Sequence, residues 1–125
     1  MSPETIFGLG GMGPLVAVKQ VGNTLVVRVS GEFDMVVADA FREKIDQHLE
    51  TGETKNLILD LRGVSFIDSS GLGAILGRYK KICQLNGRMA VVGANPPVKK
   101  VLEISGIMKV VSFFNDEKSA LAQLP

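Results

Sequence analysis

Short apolar runs with the length of β-strands alternate along this chain with segments whose apolar residues recur at helical spacing. Read in order, the pattern predicts β-β-α-β-α-β-α-β-α, with a turn at Val21-Gly22-Asn23 joining the first two strands into a hairpin. Strands separated by helices are joined by crossovers and run parallel, whereas a hairpin is antiparallel. We therefore predict an α/β fold: a mixed, mostly parallel β-sheet of about five strands, an opening β-hairpin, and about four helices packed against the sheet.

The individual elements follow from the same periodicities. Strands are predicted at residues 15–19, 25–29, 57–61, 89–93 and 109–113, with a short apolar approach at 64–67. Helices are predicted after Asp34, from Asp68, from Pro96 and from Glu117. On the second helix, the face predicted to be buried carries Leu72, Ile75, Leu76, Tyr79 and Cys83, and the face predicted to be solvated carries Arg78, Lys80, Lys81 and Gln84.

The chain length suits one domain, since 125 residues leave no room for two ordinary ones. Residues 1–14 are rich in Gly and end at Pro14, so we predict a flexible arm at 1–14 and a single domain at 15–125. Residues 8–13 of the arm have the letters of a dinucleotide-binding loop. No strand precedes them and no helix follows, so we interpret them as part of the arm.

Composition excludes several function classes. The net charge of +1 argues against a general nucleic-acid binder. One cysteine, Cys83, allows no internal disulfide, and one histidine, His48, leaves little scope for histidine catalysis or a histidine metal site. No basic leader opens the chain, and no apolar run approaches the ~20 residues of a spanning helix. We expect a cytoplasmic, monomeric protein with no membrane association.

Three aspartates stand at the ends of predicted strands or within them. Asp34 and Asp68 each follow a strand and precede a helix, so we expect them to be neighbours at the carboxyl edge of the sheet. Such a pair could bind a metal, act as acid and base, or simply cap two helices. Asp60 lies inside a strand that reads as buried, where a local hydrogen-bonding role is the simplest interpretation.

The strongest local signal is Asp68-Ser69-Ser70-Gly71-Leu72-Gly73, at the start of the second helix. The small glycines leave the serine hydroxyls accessible to another molecule. A hydrolase elbow would need G-x-S-x-G and a histidine partner, and neither is present around Ser69. A hydroxyl without its own base is a good substrate for another enzyme.

Several segments together resemble a known family, the bacterial anti-sigma factor antagonists built on the STAS domain. They are Phe-Ile-Asp-Ser-Ser-Gly-Leu-Gly at 66–73, Ile-Leu-Gly-Arg-Tyr-Lys at 75–80, Gly-Glu-Phe-Asp at 31–34, Pro-Val-Lys-Lys-Val-Leu at 97–102 and Ser-Gly-Ile at 105–107. The likeness runs from about Leu15 to Leu124 and is strongest to the sporulation antagonists, whose partner controls sigma factor F. The Gly-rich arm is a departure that the family does not require.

The resemblance implies a STAS fold and a regulatory protein rather than an enzyme. It implies that the unphosphorylated chain binds an anti-sigma factor with serine kinase activity, so that the sigma factor is released. Ser69 would be the phosphorylated residue, and a PP2C-type phosphatase would reverse the modification. The partner-binding residues would be Asp34, Asp68, Ser69, Ser70, Gly71 and Leu72. The resemblance implies no cofactor and no metal in this chain, since the kinase brings ATP and Mg²⁺.

Three other functions fit parts of the sequence. A receiver-type domain would take phosphate on Asp68 or Asp60, but only one acid accompanies Asp34 where such domains hold Mg²⁺. A STAS domain can also serve as a scaffold in a larger signalling assembly, or bind a nucleotide. The sequence leaves open which kinase, sigma factor and pathway are involved.

Overall fold

The computed structural model describes residues 15–125, so the arm predicted at 1–14 lies outside the described residues. The strands, in chain order, are β1 (Val16–Val21), β2 (Thr24–Phe33), β3 (Asn56–Ile67), β4 (Met89–Val92) and β5 (Ser112–Phe114). They form one sheet whose spatial order follows chain order. β1 is antiparallel to β2, and every later pair is parallel. The predicted α/β fold, with its mixed sheet and opening hairpin, is confirmed.

The four helices are α1 (Met35–Glu50), α2 (Ser69–Gln84), α3 (Pro96–Ser105) and α4 (Glu117–Gln123). Crossovers between parallel strands share one hand, so strands added in chain order leave their crossover helices on one face of the sheet. The main core accordingly joins α1, α2 and α3 to that face, with Phe33, Phe41 and Ile75 fully buried in it. α4 packs on the opposite face over Val26 and Ile58. No helix within residues 15–125 is long and apolar enough to cross a bilayer.

Three strand boundaries differ from the sequence prediction by more than two residues. β2 continues through Gly31, whose φ of +83° accommodates a shift in register instead of ending the strand. β3 absorbs the approach at 64–67 and becomes one strand of 12 residues. The last strand begins at Ser112, because the left-handed Gly106 ends α3 and Ile107, only 3% exposed, turns into the core within a short 3-10 turn (Ile107–Lys109).

The buried face of α2 was predicted wrongly by about one residue. The buried residues are Gly71, Ala74, Ile75, Arg78 and Ile82. Arg78 is buried together with its Nε and Nη1, and the 3.4 Å ion pair from Nε to Asp46 Oδ1 on α1 offsets part of the cost of burying the charge. Burial lowers the pKa of Arg78, and the Asp46 carboxylate opposes that shift. In consequence Cys83 is exposed rather than buried, and Leu76 is partly exposed.

Charged side chains of β2 and β3 form ion pairs on the face of the sheet that α4 covers. Asp60 is buried in β3 and accepts hydrogen bonds from the Arg62 backbone N–H (3.0 Å) and from Arg62 Nη2 (2.7 Å), which confirms its predicted local role. Arg28 on β2 donates two hydrogen bonds of 2.7 Å to Glu117 on α4. Burial would raise the pKa of Asp60, but hydrogen bonds, chiefly from the Arg62 side chain, hold it below its ordinary value of 3.8.

Replacing Arg62 with Ala should destabilise the fold in a pH-dependent way. The Asp60 carboxylate would lose its side-chain partner while staying buried, which costs about 1–3 kcal/mol at neutral pH. A lowered folded pKa contributes stability above the unfolded value, and that contribution is lost as pH falls through the folded pKa. Urea unfolding should therefore show the wild-type advantage shrinking below about pH 4.

Arg42→Ala is the matched control, since its pairing with Asp39 is solvent-exposed. It should change the unfolding free energy by less than about 0.5 kcal/mol. An Arg62→Ala penalty that is the same in acid as at neutral pH would contradict the assigned role of Asp60.

Candidate functional site

Two helix N-termini lie side by side at the carboxyl edge of the sheet. β2 and β3 are parallel and end in register, with Phe33 opposite Ile67. The Asp68 backbone N–H donates to the Phe33 carbonyl oxygen at 3.3 Å. Since neighbouring strands are ~4.8 Å apart, Asp34 and Asp68, one residue beyond each strand, are neighbours, as predicted.

Both aspartates are helix N-caps. Asp34 Oδ1 accepts from the Val37 backbone N–H at 3.1 Å, and Asp68 Oδ1 accepts from the Gly71 backbone N–H at 2.9 Å. Capping satisfies a backbone donor that the helix leaves unpaired, which fixes where each helix begins. Of the roles left open, capping is the one this geometry shows. Within residues 15–125, no three His, Cys, Asp or Glu side chains are placed to share a metal ion.

The serines follow directly from the second cap. Ser69 is the first residue of α2 and is exposed, whereas Ser70 and Leu72 are half-buried and Gly71 is buried. The structure therefore brings together every residue of the predicted site. At this position Ser69 presents its hydroxyl to solvent at the positive end of the helix dipole.

The two glycines of the motif serve different purposes. A Cβ on Gly71 would lie 2.5 Å from the Phe33 carbonyl oxygen, so only glycine lets α2 approach β2 this closely. A Cβ on Gly73 would meet nothing within 4 Å. Gly71 is thus required by the packing of the fold, and Gly73 is not.

Three exposed apolar residues at this edge were missed by the sequence analysis. Met35 and Val36 open α1 and are 64% and 70% exposed, and Phe66 near the end of β3 is 49% exposed. The helical spacing could have shown that Met35 and Val36 lie outside the core, because the inward-facing positions of α1 begin only at Val37. We call residues 32–36 and 66–73 the cap surface. Its charged residues are all acidic: Glu32, Asp34 and Asp68.

His48 and Asp60, which the sequence also pointed to, lie outside the cap surface. His48, in the last turn of α1, is half-buried, and its Nδ1 lies 2.9 Å from the Lys44 carbonyl oxygen. Both carboxylate oxygens of Asp60 are engaged by Arg62, which leaves that carboxylate poorly placed to accept phosphate as a receiver domain would.

Known proteins share this sequence pattern and this architecture. The STAS domain model matches residues 16–120. The anti-sigma F factor antagonist of Paenibacillus polymyxa is 43% identical over 100 residues, covering 80% of this chain and 86% of that protein. The anti-sigma-B factor antagonist of Bacillus subtilis is 30% identical over 96 residues, covering 77% and 86% respectively. The unphosphorylated anti-sigma factor antagonist SpoIIAA superimposes with a TM-score of 0.79 at 29% identity, over 86% of this chain and 94% of that one.

The sheet, its three crossover helices on one face and the matched model define a STAS domain. The chain belongs to the STAS domain family and, within it, to the anti-sigma factor antagonists. Its relatives are regulatory proteins rather than enzymes.

The two glycines give a paired test of the local packing. Gly71→Ala should destabilise the protein by about 1–3 kcal/mol, because the new methyl group forces α2 away from β2. Gly73→Ala should stabilise it by about 0.5–1 kcal/mol, because alanine favours the helix and its methyl group is unobstructed. Chemical denaturation of both variants measures this. A Gly71→Ala variant as stable as the wild type would show that the close approach at Gly71 is wrongly assigned.

Proposed function

We propose that this chain is an anti-sigma factor antagonist controlled by phosphorylation of Ser69. The unphosphorylated form binds an anti-sigma factor that is also a serine kinase, and the sigma factor is released. The kinase then phosphorylates Ser69 and dissociates, and a PP2C-type phosphatase restores the binding-competent form. The observation that carries this proposal is the exposed Ser69, which directly follows the second of two neighbouring helix caps in a member of this family.

Ser69 is well suited to accept phosphate without disturbing the fold. A phosphate adds about −1.5 to −2 charges, and a helix N-terminus favours an anion. SpoIIAA has been solved in unphosphorylated and phosphorylated forms, and this chain superimposes on them with TM-scores of 0.79 and 0.74. Both comparisons support a phosphorylated state that keeps the STAS fold.

The modification acts on binding through charge and contact. Asp34 and Asp68 already make this edge acidic, and the net charge of the chain is only +1, so one phosphate reverses its sign. A kinase must present the phosphates of its nucleotide to the Ser69 hydroxyl, because it transfers one of them there. A phosphate on Ser69 would face those remaining phosphates at close range. Repulsion and lost contacts then release the partner.

Substitutions of Ser69 should separate binding from modification. Ser69→Ala should bind the anti-sigma factor as tightly as the wild type and accept no phosphate. Ser69→Asp should bind more than about a hundredfold more weakly, equivalent to a loss of ~3 kcal/mol. Calorimetry with each anti-sigma factor encoded in the genome that carries this gene gives the affinities. Tight binding by Ser69→Asp would contradict the repulsion argument.

The site of phosphorylation should be confirmed directly. Incubation with the same anti-sigma factors and ATP, followed by mass spectrometry, should place one phosphate on Ser69, and it should survive acid because it is a phosphoester. Ser70→Ala is the control, since Ser70 is half-buried beside the acceptor and should not prevent modification. An acid-labile phosphate would instead indicate an acyl phosphate on an aspartate.

A further inference from the structure

We propose that Met35, Val36 and Phe66 form an apolar docking patch for the anti-sigma factor, which meets it with apolar side chains flanked by basic ones. This inference rests on the proposed function and adds residues to its interface. We call the three residues the apolar flank.

None of the three apolar-flank residues belongs to either buried core of the described residues. Met35 and Val36 are the first two residues of α1, and the buried face of that helix starts only at Val37. Phe66 lies between Val64 and Ile67, which are both buried in the main core, but Phe66 itself is exposed. These side chains are 64%, 70% and 49% exposed. Transfer of such apolar surface from water to an interface is favourable.

The apolar flank is continuous with the Ser69 site. Met35 follows Asp34 just as Ser69 follows Asp68, on strands that end in register. Phe66 is paired with Glu32 across the two strands, two residues before Asp68. A protein large enough to bring ATP to Ser69 will cover the neighbouring strand end as well.

The acidic charge of the cap surface indicates which kind of protein it can bind. The cap surface carries Glu32, Asp34 and Asp68 and no lysine or arginine. A second copy of this chain meeting the patch with the same surface would bring like charges together, as an isologous dimer must. A partner with lysine or arginine around an apolar centre would be complementary. The surface therefore favours a different protein over self-association.

Apolar contacts and charges at one interface can be separated by salt. Attraction between exposed charges weakens as ionic strength rises, whereas apolar burial does not. Loss of the apolar flank should lower affinity without changing the salt dependence. Because none of its residues carries the reacting hydroxyl, its loss should raise KM for phosphorylation of Ser69 and leave kcat unchanged.

The test uses Met35→Ser/Val36→Ser and Phe66→Thr in the full chain. Ile104→Ser is the matched control, because Ile104 is 78% exposed and lies in the last turn of α3, a helix that starts at the same edge and runs back from it. Thermal melting first establishes that each variant is folded. Binding to the anti-sigma factor that binds the wild type is then measured by calorimetry at low and high salt.

We expect the double variant to bind at least about tenfold more weakly, a change of ~1.4 kcal/mol, with the wild-type salt dependence. Phe66→Thr should weaken binding in the same direction, and Ile104→Ser should change it less than about twofold. If the wild type binds and the flank variants bind equally well, the docking patch is wrong and the proposed function stands. If the wild type binds no anti-sigma factor, both fail. If the wild type forms dimers that the double variant abolishes in sedimentation, the patch binds a second copy and the proposal is overturned.

Discussion

The parallel pairing of β2 with β3 is the constraint on which the functional edge depends. Because Phe33 and Ile67 are opposite each other, the two strands end together and both following residues can cap a helix. The hydrogen bond from the Asp68 N–H to the Phe33 carbonyl oxygen continues this pairing past the last strand residue. Gly71 then allows α2 to pass against the same Phe33 backbone. A change of one residue in this register would separate Ser69 from Asp34.

The far ends of α1 and α2 are held by a different kind of contact. Arg78 is buried on α2 with its Nε 3.4 Å from Asp46 Oδ1, and Lys81 Nζ lies 3.0 Å from the same oxygen. A buried cation that lost its carboxylate would be costly, so this ion pair fixes how the two helices face each other. Backbone packing near the caps and an ion pair further along therefore hold the two helices at separate points. The proposed phosphate on Ser69 would therefore meet a surface with little freedom to rearrange, which favours an electrostatic switch over a conformational one.

Sequence periodicity predicted the order of elements, the mixed sheet and the adjacency of Asp34 and Asp68, because these follow from local pattern and strand direction. It failed for the face of α2, where Arg78 counts as polar although it is buried beside a carboxylate on another helix. It also failed for residues 109–111, which were predicted as strand: Lys109 ends a 3-10 turn that begins at the buried Ile107, and the strand starts only at Ser112. The apolar flank was missed for a related reason. Periodicity assigns apolar residues to the core, and only the structure shows that Met35, Val36 and Phe66 are 64%, 70% and 49% exposed.

If the partner carries basic residues, a phosphate on Ser69 should attract it more strongly, whereas the proposal requires the phosphate to weaken binding. The two effects differ in the distance between the interacting charges. Two unit charges 4 Å apart at a protein surface interact with about 4 kcal/mol, whereas exposed charges further apart than the ~8 Å Debye length are largely screened. In the proposed complex the nucleotide phosphates would have to come close to Ser69, whereas basic residues of the partner that face Glu32 and the apolar flank would not. Close repulsion then exceeds distant attraction. The proposed switch would work only if the apolar flank contributed less affinity than the phosphate removed. The modified chain would then be released from the kinase that had bound it through the same surface.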